Sequence, residues 1–255
     1  MEGENAFIPA NMQMWKDQVA QNLITNRIFS NLYKICKVLD ESNVTPLLNG
    51  LFVKGNVMLV PQHLCEYLGK EDVIEIRNSF DIVFTIPWKD IKQIPLTNSI
   101  GEHKEACLLV FPNQVHQHAD IVKHFSNSES LNRFKRSTVC LPVIRYSTKL
   151  KKLLMTILGN TESIAKDKPI IIDDVDANKE YTIRESYTYN LPTTNGDCGA
   201  PLIINETQVL RKIAGIHVAG CEDGRAFSES VTQKDLERGL ERVAAKMQVS
   251  IDFRT

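Results

Sequence analysis

Between residues 11 and 39, apolar side chains recur at Leu23, Ile24, Ile28, Leu32, Ile35 and Leu39, a helical spacing that no glycine or proline interrupts. The spacing predicts one long amphipathic helix, or two shorter ones, with Lys16, Arg27, Lys34 and Lys37 on a solvated face. Residues 1–45 therefore read as an N-terminal helical extension. From residue 47 the pattern changes to short apolar runs punctuated by turn residues. "LLNGLFVKGNVMLVP" predicts two strands around a tight turn at Gly55-Asn56, and "DVIEIR", "FDIVFTI" and "ACLLVF" predict further strands. After the polar stretch "NSESLNRFKRS" the runs resume with "TVCLPVIRY", "LLMTILG", "PIIID", "YTIRESYTY", "APLII", "KIAGIHVA" and "AFSESV". Thr232, with Asp235 three residues on, predicts the cap of a C-terminal helix over "TQKDLERGLERVAAKM". Two sets of short strands predict an all-β protein of two antiparallel β-barrels. The first occupies residues 46–125; the second occupies residues 126–255 and ends in the short helix. No internal repeat or low-complexity tract is visible.

Composition narrows the function classes. A chain of 255 residues, 43% hydrophobic and 24% charged, is long enough for two barrel-sized units with a sizeable core. A net charge of −1 carries no global nucleic-acid signature, so any such binding must come from a local patch. The six cysteines are dispersed and form no CxxC pair, which argues against both a disulfide framework and a zinc site. Free thiols in a reducing compartment are expected, with no metal and no cofactor. The start, "MEGENAFIPA", lacks the basic segment and apolar core of a signal peptide. No run approaches the roughly 18 apolar residues of a membrane span.

The candidate chemistry begins in "PTTNGDCGAPLII", where Cys198 stands in a glycine-punctuated turn that leads into an apolar strand. A structural cysteine is normally an inert small hydrophobe among apolar neighbours; the residues before Cys198 read as a loop, which marks the thiol as reactive. His63 closes the strand-turn-strand unit "FVKGNVMLVPQHL", and Glu105 heads the strand "EACLLVF". His217 lies inside the glycine-flanked strand "GIHVAG", where a buried histidine needs partners and glycines suggest close approach of another backbone. Singly these could be a surface histidine, an exposed strand end and a core histidine. Together, the order His63, Glu105, Cys198 is the chymotrypsin order of base, orienting acid and nucleophile, with thiol in place of hydroxyl. Asp90, in "PWKDIKQ", is the alternative acid.

"GDCGAPL" followed by "GIHVAG" resembles the picornavirus 3C-type cysteine proteases over about residues 47–235. The longer first-barrel spacing and the N-terminal segment point to the wider picorna-like group: dicistroviruses, iflaviruses or plant relatives. Ala200 stands where the family normally has a second glycine. The resemblance implies two six-stranded chymotrypsin-like barrels and a polyprotein-processing cysteine endopeptidase of the host cytoplasm. It implies cleavage after Gln, with Glu a weaker substrate. His217 would then donate to the substrate glutamine, with Thr193 as a second polar contact and Tyr187 or Tyr189 fixing the imidazole. The N–H groups of Gly196, Asp197 and Cys198 are expected to converge as an oxyanion hole, with the Asp197 side chain pointing to solvent. Arg133, Lys135 and Arg136 flank Phe134 in the connection between barrels and would serve a secondary binding of viral RNA, or are simply solvated linker. An inactive structural homologue is disfavoured because nucleophile, base and acid are all present.

Overall fold

The computed structural model describes residues 17–40, 43–127, 135–147, 149–166, 168–174, 179–221 and 223–252. Its first element is fixed by Asp17, whose carboxylate accepts the N–H groups of Val19 (3.2 Å) and Ala20 (3.1 Å) and so caps helix α1, Gln18–Leu23. A π-helical turn, Ile24–Ile28, and a last helical turn, α2, Phe29–Asn31, carry Leu23, Ile24 and Ile28 into the core. There the helix ends, short of the expected Leu39. Residues Leu32–Val38 form strand β1 instead, paired on one side with β2, Val44–Lys54, and on the other with β4, Val73–Arg77. The strand is buried from Leu32 to Lys37's neighbour Cys36, so its apolar residues need not alternate, and a run without alternation can imitate helical spacing. The expected solvated face is corrected with it: Lys34 is only 5% exposed. Lys16 lies outside the described residues.

Five more segments join these strands. They are β3, Val57–Val60; β5, Val83–Pro87; β6, Lys92–Thr97; and β7, His103–Val110, with helix α3, Leu64–Tyr67, between β3 and β4. The strand order is β5-β4-β1-β2-β3-β7-β6, a seven-stranded antiparallel sheet rather than a closed six-stranded barrel. Its two ends, β5 and β6, are consecutive in sequence but share no ladder. Pro95 in β6 cannot donate to a second neighbour, which suits that strand to an edge. The same proline hid β6 from the sequence pattern.

The second unit does close. Strands β8, Arg136–Ser147, and β9, Lys152–Lys166, form a long hairpin. The ribbon β10, Ile170–Asp174, and β11, Lys179–Ile183, stands apart as its own two-stranded sheet. With β12, Ser186–Asn190, β13, Pro201–Ile204, β14, Ile213–Gly220, and β15, Arg225–Ser230, the hairpin makes a six-stranded barrel, β12-β15-β14-β13-β8-β9. The run "YTIRESYTY" is thus two strands in different sheets. It breaks at Arg184 and Glu185, whose backbone N–H groups both bond to the Glu229 carboxylate (3.1 and 3.3 Å).

Helix α4, Gln233–Asp252, opens with the expected reciprocal cap. The Thr232 hydroxyl accepts from Asp235 N–H (3.2 Å), and the Asp235 carboxylate accepts from Thr232 N–H (2.9 Å). One apolar cluster unites Leu23, Ile24 and Ile28 with Leu51 and Leu108 of the sheet and with Ile203, Ile216 and Phe227 of the barrel. The two units therefore share a core across their seam. The candidate site residues lie along that seam.

Candidate active site

Two consecutive turns explain the spacing of "NGDCG". Asp197 N–H bonds to Thr194 O (3.0 Å), and Ala200 N–H bonds to Asp197 O (3.2 Å). Each turn carries a glycine at its third position, Gly196 with φ +90° and Gly199 with φ +81°. That is the left-handed backbone a type II turn places there and glycine adopts without strain. Cys198 is the second residue of the second turn, half-buried, with Sγ donating to Val218 O (3.3 Å). The loop is pinned to both units: Asn49 N–H bonds to Cys198 O (2.7 Å) from the sheet, and Gly199 N–H bonds to His217 O (2.7 Å) in the barrel. The ladder between β14 and β15 shifts register between His217 and Ala219. This bulge frees Val218 O for Cys198 and for Tyr181 of the ribbon (3.1 Å).

The first turn corrects one expectation. Its closing bond consumes Asp197 N–H, so of the three expected oxyanion donors only Gly196 and Cys198 are without an acceptor among the described residues. A second correction concerns the Asp197 side chain, expected in solvent and found 1% exposed. Its carboxylate takes Thr194 N–H (2.8 Å) and both Nε (3.0 Å) and Nη2 of Arg145. A carboxylate is buried only when charge and hydrogen bonds compensate it, and a forked guanidinium supplies both.

On the sheet side, Pro61 leads the chain into α3, and His63 stands as its N-cap. His63 Nδ1 lies 2.9 Å from Glu105 Oε1, which also accepts the His63 backbone N–H (2.8 Å). One carboxylate thus sets both the ring and the backbone of the histidine. Burial alone would depress the imidazole pKa, but the neighbouring Cys198 sulfur and Glu105 carboxylate outweigh it and raise it, which favours the imidazolium formed once Cys198 gives up its proton. Glu105, Asp90's rival, is 5% exposed on β7, whereas Asp90 is exposed on the 3₁₀ turn Trp88–Asp90. The geometry pairs His63 with Glu105. The Tyr181 ring covers His63 at a centroid distance of 5.2 Å, and Lys179 bridges to Glu66 of α3 (3.1 Å), so the ribbon lies across the seam.

His217 is 1% exposed on β14. Of the two tyrosines expected to hold it, Tyr189 does: its hydroxyl lies 2.9 Å from His217 Nδ1 and 2.7 Å from Ser228 Oγ. The Tyr187 hydroxyl has no partner among the described residues. Burial pushes the His217 pKa down to about 4, against the pull of Asp197 and the Phe227 carbonyl, so the ring is neutral near neutral pH. Thr193 lies against the end of the strand that carries His217: a Cβ on Gly220, three residues beyond His217, would stand 2.7 Å from its Oγ1. Cys198, His63, Glu105 and His217 are gathered along one seam. Of the basic linker residues, Arg133 and its neighbour Phe134 lie outside the described residues, and Arg136, at the start of β8, pairs with Glu162 (3.5 Å).

Sequence reasoning missed the supports. Lys34 Nζ (2.5 Å) and Asn49 Nδ2 (2.9 Å) both donate to Gly196 O. The Glu229 carboxylate accepts Glu105 N–H (3.1 Å), holding the strand of Glu105 from the barrel. Lys104, wholly buried, donates to Glu185 (2.7 Å) and Ser230 O (2.8 Å) beside it. The signal was available as charges inside apolar runs: Lys34 in "LYKICKV", Arg145 in "VIRY", Glu229 in "AFSESV". Lys, Glu and Arg are almost never buried unless paired.

Over residues 11–246 the chain matches the family described as Tungro spherical virus-type peptidase. It is 54% identical over 246 residues to the replicase polyprotein of Acute bee paralysis virus (strain Rothamsted), covering 96% of this chain and 13% of that polyprotein. The replicase polyprotein of Cricket paralysis virus is 25% identical over 267 residues, 92% of this chain and 15% of the polyprotein. The chain therefore spans about one-seventh of the length of these relatives. Catalytically active tobacco etch virus protease complexed with product superposes with a TM-score of 0.56 at 16% identity, covering 82% of this chain and 76% of that one. The Rv3671c protease from M. tuberculosis, active form, does so with a TM-score of 0.52 at 13% identity, covering 92% of each chain. At these identities the likeness is one of fold, and the fold is the chymotrypsin-like one.

Proposed function

Because the chain belongs to the Tungro spherical virus-type peptidase family, viral 3C-type cysteine endopeptidases, we propose that it cuts a viral polyprotein after glutamine with Cys198, His63 and Glu105. What supports this reading is the His63–Glu105 pair (2.9 Å), with the imidazole under the electrostatic influence of Cys198 from the facing unit. Cys198 gives its proton to His63, and the thiolate forms a bond to the scissile carbonyl carbon while the carbonyl π pair moves to oxygen. Glu105 holds the imidazole in the tautomer that can accept and stabilises the imidazolium that results. The N–H groups of Gly196 and Cys198 receive the oxyanion. When it collapses, His63 protonates the leaving amine and the C–N bond breaks. Water, deprotonated by His63, then attacks the thioester and releases the new carboxylate and the thiol. A peptide aldehyde ending in glutamine should form a hemithioacetal with Cys198, located by mass spectrometry. An adduct on any other cysteine overturns the assignment.

The acid is tested by comparison. Glu105→Gln should lower kcat/KM by at least about 100-fold, since the amide cannot stabilise the imidazolium, and His63→Ala should be worse. Asp90→Asn, on an exposed turn, should stay within about twofold of wild type. A larger loss from Asp90→Asn than from Glu105→Gln would reverse the roles.

The specificity reading rests on the neutral, Tyr189-held imidazole of His217. Such a ring donates to a glutamine carbonyl, while an apolar side chain would leave it unpaired. His217→Leu should therefore shrink the ratio of kcat/KM for matched Gln and Leu peptides. A lost buried hydrogen bond of about 1–3 kcal/mol corresponds to roughly 5- to 150-fold. An unchanged ratio would mean that His217 is a core residue and recognition lies elsewhere.

A further inference from the structure

We propose that Arg145 is a positioning residue of the oxyanion hole, acting through its buried pair with Asp197 to fix the peptide groups on either side of that residue. The inference rests on the reading of Cys198 as nucleophile. Arg145 lies on β8, away from the triad residues, and touches the loop at two places. Its Nε and Nη2 donate to the two oxygens of Asp197, and Nη2 also donates to Pro192 O (3.0 Å). One guanidinium therefore holds both the entry of the loop and the residue before Cys198.

The consequence for the hole follows from peptide geometry. A peptide's C=O and N–H point in opposite directions, so anchoring one aims the other. The Gly196 carbonyl is held inward by Lys34 (2.5 Å) and Asn49 (2.9 Å), and the N–H of the same peptide unit bonds to Thr194 O (3.0 Å). The next peptide, whose N–H belongs to Cys198, begins at Asp197: its C=O is anchored by one bond, from Ala200 N–H (3.2 Å), and the Asp197 side chain at its start is locked by Arg145. Loss of the fork leaves a carboxylate that is 1% exposed without its two strongest donors. Such a group turns to water or draws in another proton donor, and either response rotates the Asp197–Cys198 peptide. The donor N–H then no longer aims where the oxyanion forms. The sulfur itself is restrained separately, by Val218 O and by the bond from Asn49 to Cys198 O. Lys34, whose ammonium also lies in the field of Asp197, remains beside the loop as partial compensation, so loss of Arg145 leaves the fold standing.

The test separates the hole from the thiol. Iodoacetamide alkylates a thiolate without needing an oxyanion hole, whereas a peptide aldehyde ending in glutamine forms a tetrahedral adduct whose oxygen occupies it. In Arg145→Lys, which keeps the charge but loses the fork, and in Arg145→Met, kcat should fall by roughly 10- to 100-fold, approaching the loss of one oxyanion donor. KM should change by less than about threefold, because ground-state binding does not use the hole. Aldehyde affinity should weaken in parallel with kcat, while the rate of Cys198 alkylation stays within about twofold of wild type. If Arg145→Met fails to fold, Arg145→Lys decides the matter. Near-wild-type kcat and aldehyde affinity in Arg145→Lys overturn the proposal. So does an equal fall in aldehyde affinity and alkylation, which marks general loosening of the site. Failure of the underlying reading looks different: the wild-type protein itself would then take the aldehyde on a cysteine other than Cys198.

Discussion

Cys198→Ala should leave a folded protein with no measurable cleavage of a glutamine-containing peptide. The thiol is half-buried at the edge of an apolar cluster, and beside its interaction with the His63 ring its Sγ makes a weak bond to Val218 O at 3.3 Å. Removing it costs about 1 kcal/mol or less of stability, equivalent to a few degrees in Tm for a chain of this size. The chemical loss is of another order, because no other group stands between His63 and the oxyanion donors. Removal of a nucleophile from a triad costs on the order of 10⁶ in kcat. Cys198→Ser should retain a trace, since a hydroxyl beside the same base is a far poorer nucleophile near neutral pH than a thiolate. Progress curves at high enzyme concentration and a thermal melt measure both halves of the expectation. Cleavage by the alanine variant at the wild-type rate would remove the protease reading, and a large fall in Tm would remove the argument that the thiol is free of structural duty.

What could be read in the sequence, and what could not, follows from how local each signal is. The Cys198 loop was legible because its geometry is written in consecutive residues: two turns, each demanding a glycine at its third position, set Gly196 and Gly199 three apart around Asp197 and Cys198. The barrel strands were legible for the same reason, as apolar runs bounded by turns. Strand β1 was not, because its burial depends on neighbours that arrive later in the chain, β2 and β4. Its residues fit a helix as well as a doubly covered strand until those neighbours are known. Openness of the first sheet was equally invisible, since closure depends on whether β5 and β6 pair and no local pattern encodes that. The site divides along the same line. His63, Glu105, Cys198 and His217 announce themselves by type and setting. Lys34, Asn49, Arg145 and Glu229 are defined by long-range contacts: Lys34 reaches Gly196 across a sequence separation of 162 residues, and Glu229 reaches Glu105 across 124.

Gly199→Ala should be severely damaging. Two costs combine there. At φ +81° an alanine loses about 1–2 kcal/mol relative to glycine from backbone strain alone. The methyl would also stand 1.7 Å from the backbone oxygen of Asn49 and 2.7 Å from its carbonyl carbon. Asn49 cannot yield, because β2 is paired on one side with β1 and on the other with β3. The loop must move instead, breaking the bonds from Asn49 N–H to Cys198 O and from Gly199 N–H to His217 O, both 2.7 Å. Those bonds tie Cys198 to the sheet that carries His63 and to the strand that carries His217. Activity should therefore fall by more than about 1,000-fold, and stability by several kcal/mol. Gly101→Ala is the matched control: Gly101 also has positive φ, +86°, but a methyl there meets nothing within 4 Å. It should cost about 1–2 kcal/mol of stability and leave kcat/KM unchanged, because it has only the backbone term. Comparing the two variants by thermal melting and kcat/KM isolates the packing term. If they behave alike, the close approach of the loop to Asn49 is not what holds Cys198 in place.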